Sequence, residues 1–142
     1  MMSARKSFVH GALLLALVVT VPASVAAELT EASVRSYYAA WSSGNVDEIM
    51  TYFSHDAVYE DVATGELSTG TAAVRAFASK FLQASPGVVV QPTSILIGDR
   101  SAAVEWTMKA GMGKDAWAVR GVAILQHRDG RIVRATDYWD SK

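Results

Sequence analysis

Apolar residues recur along the chain with two different periods. From 30 to 43, Val34, Tyr37, Tyr38 and Trp41 fall at i, i+3, i+4 and i+7, one stripe of a helix. Thr30 is placed to cap its start and Gly44 to end it. Asn45 opens a second, short helix, with Glu48 at the reach-back position of a capping box. Val46, Ile49, Met50 and Phe53 form its apolar side. The run AVYEDV (57–62) reads as a short strand, broken by ATGELSTG. Helical spacing returns from about Thr71 to Gln83, in Val74, Phe77, Ala78 and Phe81, until SPG at 85–87 stops it. Beyond Pro86 the period changes to two. Strands are predicted at 88–98, 101–110, 116–128 and 131–139, with Asp129-Gly130 as a hairpin turn between the last two.

Helices first and a strand meander afterwards predict an α+β fold. Three N-terminal helices would pack on one face of a curved, mostly antiparallel sheet. Such a sheet, curled over helices, leaves a cone-shaped pocket suited to a ligand.

The first 27 residues follow neither pattern. MMSARK is basic, GALLLALVVTV (11–21) is unbroken apolar sequence, and PASVAA offers small residues for cleavage after Ala26 or Ala27. Residues 1–27 therefore read as an export signal. The apolar run is shorter than the roughly 20 residues of a spanning helix. The remaining domain is 28–142, and export would place it in the periplasm or outside a bacterial cell. Removing Arg5 and Lys6 leaves 11 basic against 14 acidic residues, a net charge near −3. That charge offers no footprint for nucleic acid. No basic amphipathic stretch suits a membrane surface. The chain has no cysteine, so disulfides and thiol chemistry are excluded.

Strand alternation sorts the acids. Asp61 shares a face with Ala57 and Tyr59, whereas Glu60 points the other way, toward solvent or an ion pair. Glu105 lies with Ala103 and Thr107, opposite Val104, Trp106 and Met108. Asp137 lies with Val133, Ala135 and Trp139. A carboxyl among apolar neighbours has its pKa raised by desolvation, which prepares it for acid–base work near neutral pH. The competing explanation is structural pairing with Arg75, Arg120 or Arg134. Tyr37 and Tyr38 sit on the buried stripe of the first helix, and a buried hydroxyl needs a partner. The four tryptophans read as core or pocket lining. His55 and His127 are far apart and lack ligand spacing, so no zinc site is expected.

The segment YYAAWSSGNVDEIMTYFSHDAVYEDVATGELSTGTAAVRAF (37–77) resembles the opening of SnoaL-like and ketosteroid isomerase-like domains, of the nuclear transport factor 2-like superfamily. DGRIVRATDYWD (129–140) resembles the last hairpin of SnoaL-like cyclases and limonene epoxide hydrolase-like enzymes. The resemblance implies an isomerase, cyclase or epoxide hydrolase without cofactor or metal, acting on a small apolar organic molecule. Under it Asp61 matches a general base and Tyr37 an oxyanion-holding tyrosine. Asp137 matches a strand acid, and Glu105 falls near a second one. Trp41, Tyr59, Arg120 and Trp139 would contact substrate. Two partners of those enzymes are replaced. VRGVAIL (119–125) has no acid, and Ala103 stands where an arginine would be. The alternative is a binding or interaction module with an inert pocket. Members of this fold often pair through the open sheet face, so a homodimer is expected, with Val104, Trp106 and Met108 suited either to its interface or equally to the core.

Overall fold

The computed structural model describes residues 27–140. The expected export signal at 1–27 lies outside the described residues, Ala27 apart. Helix α1 spans Glu31–Ser43 and α2 spans Val46–Met50. Strand β1 (Phe53–Asp61) and β2 (Glu66–Thr69) follow, then α3 (Thr71–Ala84). The rest is β3 (Val89–Ile97), β4 (Ser101–Ala110), a 3-10 turn at Gly113–Asp115, β5 (Trp117–Arg128) and β6 (Arg131–Trp139). Among the described residues no helix is long and apolar enough to cross a membrane.

Local chemistry explains the helix ends. The Ser33 amide donates to the Thr30 hydroxyl oxygen at 3.1 Å, and the Thr30 amide donates to the Ser33 hydroxyl oxygen at 2.9 Å. This reciprocal pair is a capping box. Gly44 ends α1 in the left-handed region at φ 73°. The second cap differs from the expected one. Asn45 accepts from the amides of Asp47 and Glu48 at 3.0 and 3.3 Å, but Glu48 does not reach back. Its carboxylate instead accepts from the Ser43 hydroxyl at 2.9 Å.

The six strands form one sheet in the order β2-β1-β6-β5-β4-β3. All neighbours run antiparallel except β1 and β6, which run parallel. The expected α+β architecture is therefore present, with two extensions of the strand pattern. β1 begins at Phe53 rather than 57, and β2 lies inside the segment expected to be a break. β2 has four residues, and its only large apolar side chain, Leu67, is 60% exposed. Its strand character comes from pairing with β1, which a local pattern cannot show. Pro92 is accommodated because β3 is an edge strand.

The helices cover the inner face of the sheet. Ser42 ties α1 to β3, its hydroxyl oxygen accepting from the Val90 amide at 2.8 Å. Ile49, Val34, Val74, Val104 and Leu125 are the large side chains most fully buried between the layers. Val104, Trp106 and Met108 belong to this inner face and are buried there. They are thus unavailable to a dimer interface, because the covering helices take them first.

Trp106 pairs across the sheet with Gly121 and lies over its backbone. A Cβ at 121 would fall 2.5 Å from Trp106 Cζ2 and 2.5 Å from the Tyr138 carbonyl oxygen. Gly121→Ala is expected to destabilise the fold by about 1–3 kcal/mol, the usual cost of forcing extra volume into a packed core. Urea unfolding measures it, and an unchanged midpoint would refute the close packing.

Candidate functional site

A pocket of about 330 Å³ opens between α1, α3 and the inner face of the sheet. Tyr37, Asp61 and Asp137, from three separate elements, all line it. Trp41, Tyr59 and Trp139 line it too. Six of the eight residues expected from sequence are therefore brought together.

The parallel register of β1 and β6 sets Asp61 directly beside Asp137, with Tyr59 beside Ala135 two residues earlier. Alternation then turns both acids inward. Asp61 Oδ1 accepts from the Trp139 indole at 2.9 Å and from the Thr64 amide at 3.2 Å. Asp137 Oδ2 accepts from the Tyr59 hydroxyl, and its Oδ1 accepts from the Trp106 indole at 3.3 Å. Each acid is thus anchored by an aromatic donor that also forms pocket wall.

Burial pushes the Asp137 carboxyl up to about 6. The Tyr59 hydrogen bond opposes the rise, the neighbouring Asp61 charge adds to it, and the Trp106 bond opposes it. Burial also raises the hydroxyls of Tyr37, Tyr38 and Tyr59 well above the ordinary phenol range, and the Asp137 charge raises them further. All three stay neutral, and Tyr59 donates to Asp137. The neighbouring Trp41 side chain opposes the rise at Tyr37.

Two expected residues lie elsewhere. Glu105 and Arg120 are exposed on the outer face of the sheet, opposite Trp106 and its neighbours. Their own strand parity puts them there, so neither reaches the pocket. Glu60 also faces outward and pairs with Arg134. His55 is exposed. His127 is buried, and neither ring nitrogen has a hydrogen-bond partner among the described residues. It does not line the pocket. Among the described residues no group of three or more potential metal ligands occurs.

Sequence reasoning missed four participants. Trp106 was placed as core or lining, but it also holds Asp137. The Thr64 amide holds Asp61, through a turn that no side-chain pattern announces. Lys80 of α3 and Glu66 of β2 both line the pocket and pair at 3.1 Å. The distance between them along the chain hid that contact.

Known proteins agree with this architecture. The family model of the SnoaL-like domain matches residues 34–135. The chain belongs to the SnoaL-like domain family. One protein of similar structure is a hypothetical protein from Catenulispora acidiphila with a ketosteroid isomerase-like fold, in complex with trimethylamine. It is 23% identical with a TM-score of 0.74, over 79% of this chain and 88% of that one. TerC co-crystallised with polyporic acid is 16% identical with a TM-score of 0.68, over 78% and 90% of the two chains. An LEH-like epoxide hydrolase from M. tuberculosis is 21% identical with a TM-score of 0.66, over 77% and 80%. Identities this low establish the shared fold and leave the reaction open. No curated protein matches the sequence of this SnoaL-like domain.

The raised Asp137 pKa has a consequence for stability. The folded state holds this proton up to about pH 6, while an unfolded carboxyl releases it near the ordinary 3.8. The folded state therefore binds more protons between these values, and the contribution of Asp137 falls as pH rises from about 4 to about 6. Asp137→Asn is expected to remove that slope in urea unfolding measured across the window. Tyr59→Phe, which deletes a bond to the charged form, is expected to move the Asp137 titration above 6, read by carbon-13 NMR of the carboxyl. A slope unchanged in Asp137→Asn would show that another group causes it.

Proposed function

We propose that this domain is a cofactor-independent enzyme that moves protons on a small, largely apolar organic molecule. The observation that carries the reading is the pair Asp61 and Asp137, set side by side in a pocket walled by aromatic rings. The two acids have different surroundings, which suits one to the role of base and the other to that of acid. Both bonds recorded to Asp61 land on Oδ1, so Oδ2 is the oxygen assigned to take a proton. Asp137, with its raised pKa, would return one. Tyr37, neutral and on the pocket wall, would donate to the oxygen on which charge develops.

The step balances without an added reagent. Asp61 takes a proton from a carbon beside a carbonyl, the resulting enolate oxygen is held by Tyr37, and Asp137 or Asp61 delivers a proton at a second carbon. An isomerase or cyclase reaction fits this sequence. An epoxide hydrolase would use the same acids on water and the ring oxygen. The neighbours that hold trimethylamine and polyporic acid support a small-molecule site. An inert binding pocket is the competing reading, favoured by the absence of an acid in 119–125.

In a screen of cyclic enones, epoxides and aromatic polyketides, Asp61→Asn is expected to lower turnover of any accepted substrate at least ~100-fold, the scale of a lost general base. Its circular dichroism should be unchanged. Turnover by the natural protein should also fall as pH rises through about 6, as Asp137 loses its proton. Full activity in Asp61→Asn would remove that residue from the role.

We also infer export and self-association. Residues 1–27 have the form of a cleavable signal, and the outer sheet face exposes Leu96, Val122 and Tyr138. Protein recovered from outside the cytoplasm is expected to begin at Ala27 or Glu28 and to sediment at twice the chain mass. Retention of residues 1–27, or a monomer, would overturn the respective half.

A further inference from the structure

Asp61 and Asp137 are adjacent on β1 and β6 and line the same pocket, Asp61 buried and Asp137 half-buried. Each hydrogen bond to their carboxylates comes from an uncharged donor: the Trp139 indole, the Thr64 amide, the Tyr59 hydroxyl and the Trp106 indole. Among the described residues neither acid has an ion pair with arginine or lysine. Lys80, the cation on the pocket wall, is already paired with Glu66. Arg134 and Arg128 are engaged by Glu60 and Asp56. Two adjacent carboxylates drawn partly out of water without a counter-charge are costly. The site lacks a positive charge that the chain itself does not supply.

The walls say what kind of charge fits. Trp41, Tyr59, Trp106 and Trp139 line the same pocket, and aromatic faces attract organic cations. A second, independent observation comes from Tyr38. Its ring lines the pocket, and its hydroxyl is buried with no hydrogen-bond partner among the described residues. Its ionisation feels the Asp137 charge, so it lies near the acids. An N–H donor entering beside them would give it a partner. A metal ion would want further anionic or imidazole ligands, and no group of three or more exists among the described residues. The volume of about 330 Å³ lies at the small end of the roughly 300–1,000 Å³ typical of ligand pockets.

We propose that this pocket binds an organic ammonium ion: a protonated amine on an apolar body, its nitrogen set against Asp61 and Asp137 and its carbons against the tryptophan and tyrosine rings. The inference rests on the pocket being a ligand site, as in the function proposed above, but on no particular reaction. It narrows the substrate class to molecules that carry a basic nitrogen.

Isothermal titration with N,N-dimethylbenzylammonium and its uncharged carbon isostere isobutylbenzene tests it. The ammonium ion is expected to bind the mature protein at least tenfold more tightly. Asp61→Asn and Asp137→Asn are each expected to weaken it at least fivefold while leaving isobutylbenzene binding unchanged or stronger, which also shows that the variants are folded. Equal or tighter binding of isobutylbenzene to the natural protein would overturn the cation assignment and leave the small-molecule pocket standing. Ammonium binding insensitive to both substitutions would overturn it as well. Failure of both probes to bind would overturn the assignment together with the ligand-pocket reading beneath it.

Discussion

The parallel pairing of β1 with β6 is the constraint on which the molecule depends. Every other neighbouring pair in the sheet is antiparallel. A parallel pair cannot be closed by a tight turn and needs a long crossover. Here that crossover is everything between Asp61 and Arg131, including α3 and four further strands. The chain closes its longest loop to make this one ladder. The ladder places the ends of β1 and β6 level, so two acids separated by 76 positions become lateral neighbours. The placement of the site and the closure of the sheet are one event.

Polar groups in this pocket are held by aromatic ones. Tyrosine and tryptophan supply apolar area and one polar hydrogen each. Trp139, Trp106 and Tyr59 turn that hydrogen toward a carboxylate and keep their ring faces for the cavity. A lysine or arginine in their place would neutralise the acids. Neutral donors anchor them while leaving their charge to be used. Gly121 belongs to the same device, because its missing side chain is what lets Trp106 lie flat enough to reach Asp137.

How far the sequence disclosed this depends on the range of each interaction. α1 was legible because its stripe, its Thr30 cap and its Gly44 stop are all local. β4 matched residue for residue, since alternation is an intrinsic property of a strand. That same alternation should have removed Glu105 and Arg120 from consideration, for it puts them opposite the buried Trp106. Resemblance to enzymes that use an acid near position 105 outweighed the local signal. β2 and the Lys80–Glu66 contact were invisible because they exist only through neighbours distant in sequence. The pairing of Asp61 with Asp137 was visible as a shared facing and hidden as a register. Which residues point inward follows from parity, while which stand side by side follows from the whole topology.

All four tryptophans of the chain lie on the wall of this one pocket, and the described core elsewhere contains none. The protein therefore carries its indole chromophores where a ligand would enter. Its intrinsic emission reports on the cavity rather than on the fold at large. Trp139 and Trp106 donate directly to the two carboxylates, so their excited states sense the charge on Asp61 and Asp137. The ultraviolet fluorescence of this domain is a built-in optical probe of the protonation and occupancy of its site, with no label needed.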